Sequence, residues 1–165
     1  MLAKRSGDFQ GGGVIFHLWK DNAGVEHGLI VDLVDLSTSQ VWSNIDSTII
    51  GTSAQSSWDG LSNSNAIIGQ AGHTSSAAAL CLNSNNGGQS DWYLPSIQEL
   101  NMLWNNYYTV ARALTQIAGA TQLVAIYWAS TEMLDMYAHN FDFNLTSFGG
   151  RCKYYARYVR AVRAF

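Results

Sequence analysis

A chain of 165 residues is about one domain's worth and can bury a substantial core without disulfides or a structural metal. Only 13% of its residues are charged and the formal net charge is -3, so the sequence lacks the broad basic footprint that a nucleic-acid backbone requires. No apolar run approaches the ~20 residues that span a bilayer and Met1 to Gln10 has no signal-peptide core, so no membrane insertion is expected and, as the sequence stands, no export.

Residues 1–10 are polar and mixed and read as a flexible lead to a domain over 11–165. Gly11-Gly12-Gly13 opens onto the apolar run Val14 to Trp19, a strand. Asp21-Asn22-Ala23-Gly24 supplies turn chemistry, and Gly28 to Val34 is a second, β-branched strand, so the two form a hairpin. From Ser37 to Asn65 no period dominates, and this is expected to be a long ordered loop with Trp42 and Trp58 as inward anchors.

Between Asn65 and Leu82 the small and apolar positions Ile68, Ala71, Ala78, Ala79 and Leu82 recur at three and four, which predicts a helix weakened at Gly69 and Gly72. Ser96 followed by Glu99 is a capping box that starts a second helix, with the stripe Leu100, Leu103, Trp104, Tyr107, Ala111 and Leu114. Beyond Gly119 the helical period ends. Leu123 to Ala129, Tyr137 to Leu145 and Lys153 to Val162 are rich in aromatic and β-branched residues and predict three strands. The order is α+β, with two helices beside a mostly antiparallel sheet.

The chain shows no sequence pattern for catalysis or cofactor binding. His17, His27, His73 and His139 fall in separate elements without metal-ligand spacing, and no nucleophile elbow, phosphate loop or calcium loop is present. Cys81 and Cys152 read as free, buried thiols in preference to a single disulfide. No cofactor, metal or catalytic residue is assigned. Six of the nine Lys and Arg, namely Arg112, Arg151, Lys153, Arg157, Arg160 and Arg163, lie beyond residue 110, which makes the C-terminus locally basic.

Asp91-Trp92-Tyr93-Leu94-Pro95-Ser96 with Glu99-Leu100, then Tyr127-Trp128-Ala129-Ser130-Thr131-Glu132, and then Tyr158-Val159-Arg160-Ala161-Val162-Arg163 give the chain a resemblance. With the opening Gly12 to Phe16 and His27 to Val31, it resembles the C-type-lectin-fold domains of bacterial and phage surface proteins. That family includes collagen-like adhesins and the variable proteins of diversity-generating retroelements. The resemblance spans about residues 11–165 and implies adjacent N- and C-terminal strands, two flanking helices and a binding surface on the C-terminal strands. It also implies a cell or virion surface location. The tripeptides typical of calcium-dependent sugar-binding lectins are absent, so calcium-dependent sugar recognition is not expected.

Alternation along Tyr137 to Leu145 puts Phe141 and Phe143 on a core face and Asn140, Asp142 and Asn144 on a solvent face. The expected ligand-binding set is Met133, Leu134, Asp135, Met136, Tyr137, Asn140, Asp142, Asn144, Arg151, Lys153, Tyr155 and Arg157. Exposed Tyr, Arg and Met are frequent anchors for protein partners. In retroelement variable proteins such positions derive from AAC codons, which scatter without yielding a stop; Met133, Met136 and Lys153 cannot arise from AAC.

The expected function is a non-enzymatic display domain for a protein or cell-surface receptor. One alternative is a constant adhesin domain that binds anionic glycans through Arg151, Lys153, Arg157, Arg160 and Arg163. Another is an enzyme related to formylglycine-generating oxidases, which would use Cys152. No stalk is present to drive trimerisation, and a monomer is favoured over a trimer.

Overall fold

Residues 3–165 are described by a computed structural model, in which the expected α+β order takes the form of two sheets and four α-helices. In chain order the elements are β1 (Phe9–Gln10), β2 (Gly13–Lys20), β3 (Glu26–Asp32), β4 (Ser37–Gln40), α1 (Gly60–Ile68), α2 (Ala77–Leu82), α3 (Ile97–Asn105), α4 (Tyr107–Thr115), β5 (Ile126–Glu132), β6 (Tyr137–Asp142), β7 (Ser147–Cys152), β8 (Arg157–Val159) and β9 (Val162–Ala164). One sheet has the order β1-β2-β3-β9 and the other β4-β8-β5-β6-β7. Every pairing is antiparallel except that of β5 with β8. The arrangement is consistent with a C-type-lectin-like fold, and the last strand closes onto the N-terminal hairpin along β3.

The hairpin forms where turn chemistry predicts it. Asp21 Oδ1 accepts the Ala23 and Val25 N–H groups, and Gly24 takes the positive φ (80°) that reverses the chain. The lead expected over residues 1–10 is tied down where it is described. The Gly7 N–H donates to Ile15 O at 2.7 Å, and β1 pairs with β2; residues 1 and 2 lie outside the described residues.

The inner strands of both sheets are covered on two faces. Along β2 and β3, Val14, Phe16, Leu29 and Val31 enter one apolar cluster with α3 and α4, while Ile15 and Ile30 enter a second with Trp42, Trp92 and α2. The same alternation divides Tyr127 and Ala129 from Trp128 in β5, and Phe141 from Ala138 in β6. A strand position opposite a core phenylalanine is therefore not automatically wet.

The helix expected over Asn65 to Leu82 is two helices. Asp59 caps α1 by accepting the Ser62 N–H, Ser76 caps α2 by accepting that of Ala79, and Gly72 at φ 83° lies in the reversal between them. The capping box at Ser96 and Glu99 starts α3 as expected. Its stripe runs on into α4 across a break at Asn106, with Val110 as the buried position where Ala111 was expected. In the long loop Trp42 is an inward anchor, its Nε1–H donating to Ala129 O at 2.8 Å. Trp58 is the reverse of the expectation: it is 65% exposed.

The C-terminal strands differ most from the prediction. Ser147 to Cys152, with two glycines and no apolar alternation, pairs with β6 as the edge strand β7. Lys153 to Tyr155, expected within a strand, turns away after it, with the Tyr155 N–H donating to Cys152 O.

Candidate functional site

β5 ends at Glu132 and β6 begins at Tyr137, and the four residues between them make a tight reversal. Met133 and Leu134 N–H both donate to Tyr137 O, and Tyr137 N–H returns a bond to Leu134 O. Beneath it lies Lys153, whose side chain is fully buried. Its Nζ donates to Glu132 Oε1 at 2.7 Å, to Asp135 O at 2.6 Å and to Thr48 O at 3.3 Å, which uses all three ammonium hydrogens. Glu132 in turn accepts the Ile50 and Gly51 N–H groups, and Nζ sits 4.9 Å from the centroid of Trp42. A buried ion pair is tolerable when its remaining donors and acceptors are satisfied, as they are here. This pair joins the long loop, β5 and the 133–136 reversal into one rigid support.

Above that support the side chains of Met133, Leu134, Met136, Tyr137, Tyr154 and Tyr155 are exposed. Tyr154 and Tyr155 stack with centroids 4.8 Å apart, and the guanidinium groups of Arg151 and Arg157 lie 5.5 and 5.7 Å from the Tyr155 ring. Cys152 pairs across the strands with Tyr137. The proximity of Cys152 pushes the Tyr154 hydroxyl up to about 12 and raises that of Tyr137, so both phenols stay protonated. A Cβ on Gly150 would come within 2.6 Å of the Met133 sulfur, so the glycine makes room for the loop.

The twelve residues singled out from the sequence do not form one patch. Met133, Leu134, Asp135, Met136, Tyr137, Arg151, Tyr155 and Arg157 gather at one end of β5–β7. Asp142 and Asn144 sit at the other, about 17 Å away for five extended residues. There they shape the β6–β7 turn: Asp142 Oδ1 accepts the Asn144 and Leu145 N–H groups, and Asn144 Nδ2 donates to Val124 O. Asn140, expected in solvent, is 7% exposed, because its face of β6 is shared with Ala138 and the paired Trp128 in the second core. Lys153 is likewise removed from any contact surface by its ion pair. Tyr154 was missed because strand alternation would turn it away from Tyr155; in a turn both point outward.

The basic C-terminus also resolves into separate roles. Arg160 is buried, with Nε on Asp35 at 2.7 Å and further bonds to Asp32 O and Thr121. Arg163 holds Asp91 with two bonds of 2.6 and 2.7 Å, which keep the Asp91 carboxyl below its ordinary range. Arg151 and Arg157 are then the two of the five proposed glycan-binding cations that make no ion pair among the described residues. Arg157 Nε is buried without a hydrogen-bond partner. Both cysteines are free: Cys81 is buried in the second core, where desolvation raises its thiol well above the ordinary value, whereas Cys152, expected to be buried, is half-buried on the edge strand. No helix among the described residues is long and apolar enough to cross a membrane, and no three His, Cys, Asp or Glu among them are grouped to hold a metal ion.

A family model described as the Lcl C-terminal domain matches residues 32–163, from the last residue of β3 into β9. No curated protein matches the chain.

Proposed function

The chain belongs to the Lcl C-terminal domain family, a lectin-like family of binding domains, and from that premise we propose that it is a non-catalytic display domain for a protein or cell-surface receptor. Its contact surface is the 133–137 reversal with Arg151, Tyr154, Tyr155 and Arg157. The observation that carries this reading is the combination of a buried, fully bonded support with an exposed layer of Tyr, Met and Arg above it. A contact surface gains most when its backbone is fixed before binding, because less order is then lost on association. Tyr and Arg stacked on one another supply large, stiff contact area and donors.

In this reading exposed positions other than Met133 and Met136 vary between copies through a retroelement, while Lys153 does not. Lys153 cannot come from an AAC codon, and its buried pairing with Glu132 explains why it would be held constant. Sequencing the locus tests this directly: a near-identical template repeat beside a reverse transcriptase is expected, and the absence of both removes diversification.

The anionic-glycan reading loses Lys153, Arg160 and Arg163 to internal ion pairs. Heparin chromatography separates the two functions. Elution at or below physiological salt is expected for two free arginines on a face, whereas retention far above it would favour the glycan.

A further inference from the structure

On a different part of the molecule a cavity of about 250 Å³ is lined by His17, Trp19, Leu29, Trp58, Glu99 and Met102. We propose that this groove is a second binding site, for an alkylammonium group such as a lysine side chain or a quaternary ammonium head.

Its walls are largely aromatic. Trp19 stacks with the imidazoles of His17 and His27, with centroids 5.6 and 5.5 Å away, yet remains 41% exposed. Trp58 rides on a segment pinned to the start of α3 by the bond from Gln98 N–H to Ser57 O, and the Trp58 N–H donates to Ser56 Oγ. Leu29 and Met102 supply apolar surface for a stem.

The charge of the groove is one-sided. Glu99 is 5% exposed and its oxygens accept only Tyr93 O–H and Ser96 N–H; none of the ion pairs among the described residues includes it. Burial holds its carboxyl above the ordinary range, and the nearby Asp59 adds further negative potential. A buried glutamate with no cation paired to it, in a groove that also presents two partly exposed indoles, is complementary to an organic cation. A sugar ring would require several donors and acceptors for its hydroxyls, and this lining offers one carboxylate, two indoles and one imidazole.

The test is NMR titration of nitrogen-labelled protein, following the indole N–H signals of Trp19 and Trp58. Choline and n-butylammonium are expected to shift both saturably, and the neutral analogue 3,3-dimethylbutan-1-ol is not; the tighter of the two cations identifies the source. Trp58→Ala and Glu99→Gln should each weaken binding at least tenfold, while Tyr155→Ala, on the C-terminal face, should bind as the parent does. Glutamine can retain the cap, and if that variant nevertheless melts early Trp58→Ala decides alone. The proposal is overturned if the neutral analogue binds as tightly as choline, if methyl glucoside alone saturates the signals, if neither cation does, or if Trp58→Ala leaves choline binding unchanged.

Discussion

The Lys153 ammonium donates to the Asp135 carbonyl oxygen at 2.6 Å, from below the reversal whose side chains face solvent. One buried cation thus fixes the backbone of the 133–136 reversal while its own side chain stays out of solvent. Because the same nitrogen pairs with Glu132 at 2.7 Å, the loop is joined to the buried C-terminal end of β5.

Removing that cation should be costly. Lys153→Met leaves Glu132 buried and unpaired, and breaking a buried pair in this way costs about 3–5 kcal/mol. Urea denaturation should show the midpoint fall by that free energy divided by the m-value. A loss below about 1 kcal/mol would mean that the pair does not support the loop.

The two layers of the site should separate in thermal melts. Phe143→Ala removes a buried ring that packs against Tyr127 and Trp104 and should cost about 3–5 kcal/mol. Changing Met136, Tyr154 and Tyr155 together to serine should cost no more than about 1–2 kcal/mol, since exposed substitutions act weakly. Equal destabilisation would show that the exposed layer is part of the core.

Gly60 should not tolerate a side chain. A Cβ there would lie 2.7 Å from both Leu94 O and Ser96 N, backbone atoms that cannot swing aside. Gly60→Ala should therefore destabilise by about 1–3 kcal/mol although alanine favours helices, and a neutral or stabilising result would exclude that packing.

Stability should depend on pH through Glu99 with a definite sign. Burial raises its folded-state value above the ordinary one, so its contribution is fully present below the unfolded value and is lost as pH rises through the folded value. Relative to Glu99→Gln, which does not titrate, the parent should lose stability as pH rises above the ordinary glutamate value of about 4.3. Asp91, lowered by Arg163, acts in the opposite direction: its contribution is lost as pH falls. Paired denaturation curves at each pH check this, and a parent-minus-variant difference that is flat or rises with pH would refute the assignment to Glu99.

Short-range signals in the sequence determined much of this protein. The Asp21–Gly24 turn, the Ser96–Glu99 capping box, the Phe141/Phe143 core face and the grouping of Met133 to Tyr137 depend on neighbours a few residues apart, where spacing alone specifies geometry. The edge strand β7 was not legible because its two glycines carry no pattern; pairing with β6 creates it. Which charges are free was decided by tertiary structure. Lys153, Arg160 and Arg163 find Glu132, Asp35 and Asp91 at separations of 21, 125 and 72 residues, and Asn140 is covered by a core built from another part of the chain. Composition records that these groups exist, but the energy of a buried charge depends on which partner the fold sets beside it.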